Sequence, residues 1–324
     1  MPTLIEWARN RDGTEGESWN PIRARRISDG KQGHYCQKIG PGCAHCYAER
    51  INLWRGNGVG YTVPGLGEVE LYLDEEVLMR PLRWRKPRNV FVCSITDLFA
   101  EFVPNRWIRQ IYAVEAMTAR HTYMHLTKRP LWRQRFLSLF QTAAEWAEYL
   151  SGLEDEDSVY WDEEAECHIA NAINGVLAEG YNVGWPMKNV REGVTVCNQK
   201  EADELIPILL GTPADVRFIS AEPLLEDLNL LSLRIPCISC PDGAHGMDSL
   251  RGHNAPAKLD WVIAGCESGP DARDVDDDAF RSLRDQCAEA GAPFFLKQMK
   301  INGKLVHTPL LDGVEHKAFP VARP

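Results

Sequence analysis

Cys36, Cys43 and Cys46 form a C-x6-C-x2-C run on a stretch broken by Gly40, Pro41 and Gly42. Three thiolates this close on a Gly/Pro-rich loop can each take one iron of a cubane cluster, leaving the fourth iron open to an exogenous ligand. Soft sulfur donors favour an iron–sulfur cluster or zinc over magnesium or calcium. A closed zinc site wants a fourth ligand, and His34 and His45 are near enough in sequence to serve. Ordinary buried thiols are the third reading.

Whatever the loop holds must be carried by a scaffold. Six short apolar runs end abruptly in polar residues: Asn89–Cys93, Thr122–Leu126, Gly193–Cys197, Val216–Ser220, Leu259–Ala264 and Pro293–Leu296. Each reads as a buried strand. Helical patterns at 105–119, 130–150, 199–211 and 276–290 lie between most of them, the last stopping at Gly291, a C-cap. This alternation implies a parallel sheet, open or closed into a barrel. In such folds chemistry collects where strands end. The residues there are Ser94, Thr96 and Asp97; Thr127, Lys128 and Arg129; Cys197, Asn198 and Gln199; Ser220, Glu222 and Pro223; Gly265, Cys266, Glu267, Ser268 and Gly269; Lys297 and Gln298. Any one is an ordinary cap or paired surface residue; six strands ending alike are harder to dismiss. A cavity lined by Asp97, Lys128, Glu222, Glu267 and Lys297 would hold a zwitterion by charge-assisted hydrogen bonds. With the cysteine loop, this suggests a cluster at the mouth of a partial barrel. S-adenosylmethionine (SAM), which carries an amino and a carboxylate group side by side, could fill the open iron.

Bulk composition agrees. The 324 residues are 44% hydrophobic, enough for one large domain or two smaller ones. No apolar run of membrane-spanning length occurs, and the opening Met-Pro-Thr-Leu-Ile-Glu-Trp does not read as a secretory signal. Ten cysteines then fit a reducing, cytoplasmic setting and metal or redox chemistry better than a disulfide framework. A net charge of −10 argues against a generally basic nucleic-acid binder. Yet residues 80–135 hold twelve Lys/Arg against three acids, with Trp84, Trp107 and Trp132 among them, whereas 145–166 hold ten acids and no base. One face could therefore meet phosphates and stack a base, or these are simply solvated helix faces. Two insertions break the pattern. Residues 151–192 are acidic and then mixed, with a short helical pattern at 163–179. Residues 232–258 carry Cys237-Ile238-Ser239-Cys240 with His245 and His253 after it. That C-x2-C could be a small zinc knuckle, but no second one accompanies it, and a surface loop with incidental cysteines is the plainer reading.

Several segments together resemble a known family. They are Ile5-Glu6-Trp7, Trp19-Asn20-Pro21, Pro41-Gly42-Cys43-Ala44-His45-Cys46-Tyr47-Ala48, Ser94-Ile95-Thr96-Asp97-Leu98-Phe99, Leu126-Thr127-Lys128-Arg129-Pro130, Ser220-Ala221-Glu222-Pro223-Leu224, Gly265-Cys266-Glu267-Ser268-Gly269-Pro270 and Phe295-Leu296-Lys297-Gln298. In order and number they resemble the phage and prophage three-cysteine family once catalogued only as a domain of unknown function. That family is similar to the radical SAM superfamily and, more distantly, to spore photoproduct lyase. The resemblance implies an α/β fold: one radical SAM-like domain over 1–324, built as a partial (βα)6, TIM-like barrel with loop insertions. It implies a [4Fe-4S] cluster on Cys36, Cys43 and Cys46, and SAM as the source of a 5′-deoxyadenosyl radical once an external donor supplies an electron. Tyr47, Asp97, Lys128, Glu222 and Glu267 become candidate cofactor contacts, with Lys297 beside the reacting centre. The substrate class it suggests is a nucleobase, in phage DNA modification by isomerisation of a hypermodified thymine, or in lyase-type repair. Three departures stand out. The first cysteine gap is six where the superfamily usually has three, and Cys197 stands where Glu is expected and Cys266 where Gly is expected. A thiol at either place could donate a hydrogen atom to a product radical, or merely fill space. The rival from another class is a non-catalytic, zinc-stapled nucleic-acid-binding protein using the same cysteines, a nearby His and the 237–253 loop. A third is a degenerate barrel with a structural role.

Overall fold

Seven strands run parallel in one sheet, and along it their order in space is their order in the chain. The computed structural model describes residues 2–3, 5–10, 12–151, 184–237, 240 and 243–320. The parallel strands are β2 (Gly16–Trp19), β6 (Asn89–Val92), β7 (Thr122–Thr127), β8 (Val190–Thr195), β9 (Val216–Ala221), β12 (Trp261–Gly265) and β13 (Phe294–Ile301). Short antiparallel strands, β1 (Pro2–Thr3) and β14 (Lys304–His307), complete the nine-stranded order β1-β2-β6-β7-β8-β9-β12-β13-β14. All six expected strands are present. A seventh, β2, was not expected: Gly-Glu-Ser-Trp has no apolar run, and its pairing with β6 makes it a strand.

Helices cross between neighbouring strands. They are α4 (Asn105–Met117), α5 (Pro130–Leu137), α6 (Ala143–Ser151), α7 (Gln199–Leu210) and α8 (Asp277–Ala290), preceded in the chain by α1 (Tyr47–Arg55), α2 (Glu75–Leu78) and α3 (Arg80–Arg83). Local chemistry sets their ends. Asn198 accepts from the Glu201 amide to start α7, Asp276 accepts from Asp278 to start α8, and Gly291 closes α8 with φ +67°. The expected helix over 130–150 is two helices. Thr142 and Glu145 exchange side-chain-to-amide hydrogen bonds, a capping box that begins α6 afresh. The β2–β6 connection holds a small sheet of β3 (Ile22–Arg26), β4 (Gln32–Gly33) and β5 (Val69–Leu73) in the order β4-β3-β5. The β9–β12 connection, expected to be a loop, contains a hairpin of β10 (Leu233–Pro236) and β11 (Ala244–Met247). The helical pattern at 163–179 lies outside the described residues, as does most of the 151–192 insertion.

Successive strand residues alternate between two cores, as strand geometry requires. Val90, Val92 and Tyr123 face α4 and α6, while Ile219, Val262 and Leu296 face α7 and α8. Phe91, Met124, Phe218, Trp261, Ile263 and Phe295 point to the other face and meet Trp7 there. Gly193 is required on that face because a Cβ would lie within 2.6 Å of the Phe218 ring. Trp7 sits in the 3-10 turn Glu6–Ala8, its ring centroid 4.7 Å from Phe91, 6.2 Å from Phe218 and 6.4 Å from Trp261. Lys317 and Thr308 hold Glu6 of the same turn. Among the described residues no helix is long and apolar enough to cross a membrane.

Candidate active site at the C-terminal edge of the sheet

The cysteine loop leaves β4, makes the 3-10 turn Pro41–Cys43 and enters α1, with Cys46 as the residue before its first turn. Glycine lets it lie close to the sheet. A Cβ on Gly42 would stand 2.3 Å from Cys197 Sγ and 3.4 Å from Pro223 Cδ, and one on Gly40 would stand 2.7 Å from Glu201 Oε1. The loop thus rests on the ends of β8 and β9. Arg273, beyond β12, donates to the Pro41 carbonyl at 2.9 Å while its Nε and Nη2 hold both oxygens of Glu267 at 2.9 and 2.5 Å. Burial would raise the Glu267 carboxyl, but Arg273 keeps it below its ordinary pKa. At the other side Arg129 donates to the Gln37 carbonyl at 3.2 Å, Tyr47 to Ser94 O at 2.8 Å and Tyr61 to Ile95 O at 3.0 Å. The loop is therefore fastened to residues following β6, β7, β8, β9 and β12 alike.

Charges of both signs lie under the loop. Burial pushes the Cys36 thiol up to about 12; Asp97 reinforces this and Arg129 opposes it. Burial also works against the Lys128 ammonium, yet Cys43, Cys197, Cys46 and Asp97 hold its pKa above the usual lysine value. Asp97 itself is fully engaged. One oxygen accepts from Thr127 Oγ1 at 2.6 Å and the Phe99 amide at 3.1 Å, the other from the Lys128 amide at 3.1 Å and Arg129 Nη1 at 3.2 Å. It ties the ends of β6 and β7 together and fixes Lys128. Glu222 and Lys297 form an ion pair with each other, both side chains mostly buried. The expected site residues Tyr47, Asp97, Lys128, Glu222, Glu267 and Lys297 are all on this edge. Arg129, Arg273 and Glu201 join them. Arg129 belonged to a strand-end motif, whereas nothing local marks Arg273, whose carbonyl partner is 232 positions away.

Neither histidine falls into a compact ligand group with the loop cysteines among the described residues. Burial lowers the His34 pKa to about 4, its charged neighbours are Arg23 and Asp74, and its Nδ1 lies 3.1 Å from the Ile22 carbonyl. His45 lies near Glu267. Among the described residues the His/Cys/Asp/Glu group whose ligand atoms all fall within 4.8 Å of one another is Cys237, Cys240 and His245, not the Cys36 loop.

The model of one protein family matches residues 5–320, under the description "protein of unknown function (DUF5131)". The chain belongs to the DUF5131 family. No curated protein and no solved structure matches it.

In this DUF5131 chain the two unexpected thiols differ in position. Cys197 is fully buried beneath Gly42; burial raises it to about 12, against the pull of Lys128. Cys266 borders a cavity of about 160 Å³ with Asp274, Phe280 and Lys300. The basic stretch is not one solvated face. Arg109, Arg129, Arg133 and Trp107 are buried, Arg109 over the Tyr149 ring of α6 and Arg133 against Glu192 and Gly193 of β8, and Trp84 is half-buried. Trp132 is 48% exposed with the Arg135 guanidinium 5.8 Å from its ring; Trp54, not anticipated, is 72% exposed with Arg55 at 3.9 Å.

Proposed function

We propose that this chain is a radical SAM enzyme acting on a nucleobase, in phage-type DNA modification by rearrangement of a hypermodified thymine or in lyase-type repair. The observation that carries the reading is the three-cysteine loop lying across the C-terminal edge of a parallel sheet, with Lys128 and Cys197 beneath it. Cys36, Cys43 and Cys46 would hold a [4Fe-4S] cluster. Such a cluster with SAM bound, given an electron by an external donor, would supply a 5′-deoxyadenosyl radical. The fold we read is a partial barrel. In a flat sheet β6 and β12 would stand about 19 Å apart, four strand spacings, yet Trp7 touches residues of both. A sheet coiled around Trp7 accounts for this.

The chain's own residues bind and orient. The Glu222–Lys297 pair presents one charge of each sign, so a zwitterion can exchange its ammonium and carboxylate for theirs. Arg273 holds Glu267 and the loop in one register, and Asp97 acts through Lys128. Cys197 donates a hydrogen atom to a carbon-centred product radical, forming a C–H bond and leaving a thiyl radical that the external reductant and a proton return to thiol. The Trp54–Arg55 and Trp132–Arg135 pairs offer stacking faces beside cations, the chemistry of single-stranded nucleic acid contact.

Anaerobic reconstitution with iron and sulfide tests the reading, beside a Cys36→Ala/Cys43→Ala/Cys46→Ala control. An EPR signal perturbed by SAM, and 5′-deoxyadenosine from the intact protein alone, are the expected results. A colourless protein holding zinc on those three cysteines would replace the enzyme with a zinc-stapled binding protein.

A further inference from the structure

The geometry points to a second, separate metal site: Cys237, Cys240 and His245 bind one zinc ion that pins the loop end of the β10–β11 hairpin. Their three ligand atoms already lie within 4.8 Å of one another. Tetrahedral zinc with bonds of about 2.0–2.3 Å sets donor separations of roughly 3.3–3.8 Å, so a shift of about an ångström closes the site. Two thiolates and one imidazole are a zinc donor set, and solvent takes the fourth position.

The backbone is already folded as a knuckle. Register pairs Ile235 with His245 and Pro236 with Ala244, and the Cys237 amide then donates to the Gly243 carbonyl at 2.8 Å. Cys240 N donates to Cys237 O at 3.3 Å and Gly243 N to Cys240 O at 3.0 Å. Gly243 has φ +72°, a conformation that glycine adopts freely. The other end of the hairpin needs no ion. Leu233 and Met247 are buried in the core, and the Arg234 amide donates to Asp203 of α7 at 3.0 Å. At the cysteine end, partly exposed side chains replace core, the circumstance in which small structures take a metal staple. His253 is elsewhere, bridged through its backbone to Asp248.

Metal analysis of the full-length protein tests this independently of the Cys36 loop. Zinc and iron per chain are measured in wild type, in Cys36→Ala/Cys43→Ala/Cys46→Ala and in Cys237→Ser/Cys240→Ser. About one zinc should persist in the triple variant and vanish from the double, while the double still takes up iron. Cobalt added to the triple variant should give tetrahedral visible bands and thiolate charge transfer, and His245→Asn should weaken its binding without abolishing that band. Equal zinc in wild type and Cys237→Ser/Cys240→Ser, or a Cys237–Cys240 disulfide with no bound metal, would overturn the assignment.

Discussion

At the scale of single residues, the contact between Gly42 and Cys197 decides whether the cysteine loop can lie down. An added methyl would meet Cys197 Sγ at 2.3 Å, well inside van der Waals range. Gly42→Ala should therefore cost about 1–3 kcal/mol, the usual range for overpacking. Cys197→Ala in the same chain should recover much of that loss, since the offending atom is gone, and thermal unfolding of the two singles and the double would show it. Strict additivity would mean the two do not touch. The three-cysteine run stood out from its spacing alone, because it is local in the chain. The residues that seat the loop did not. Arg273 and Glu201 reach it from distant parts of the chain, and only the folded sheet brings them near.

Among elements, β7 and β8 are joined to α4 and α5 by a buried charged network. His125 Nε2 lies 2.8 Å from Glu115 and its Nδ1 3.3 Å from Glu192; Tyr112 donates to Glu192 at 2.6 Å and Arg133 at 3.3 Å. Burial would discharge His125, but Glu115 and Glu192 raise it to about 10. Glu192, for all its burial, is held ionised by His125 and Arg133, whereas burial keeps Glu115 above its ordinary pKa. A raised histidine stabilises fully below its unfolded pKa of about 6.5 and loses that contribution as pH climbs through about 10. The melting temperature should fall between pH 7 and 10, and His125→Gln, less stable at neutral pH, should flatten the slope. Parallel slopes would contradict the charged imidazole. Of this network the sequence showed only a buried strand, since Thr122–Leu126 reads as an apolar run with one histidine in it. Strands of buried, β-branched residues were legible because both faces of a parallel sheet are covered. Polar β2 and the Pro-ended β10 were not, because partners alone make them strands.

For the whole molecule, the helix-side core is divided into two clusters and the inner face unites them around Trp7. Trp7→Ala should cost about 3–5 kcal/mol, the range for emptying a large buried aromatic. Denaturant unfolding measures it, and a loss under about 1 kcal/mol would show that Trp7 is not the element joining the two halves. The α/β layering was readable from the alternation of runs. The meeting of Trp7 with residues of both β6 and β12 was not, since strands far apart in the sheet order come near one indole only in the folded chain. The same arrangement sets an order of events during synthesis. From β2 to β13 each strand leaves the ribosome next to an edge already laid down, so the sheet can grow one strand at a time. The Glu6–Ala8 turn cannot settle that way, for Glu6 is held by Lys317, 311 positions later. A segment made before the strands it packs on is thus among the last to dock, and until then the aromatic face it covers stands open to chaperones and to aggregation.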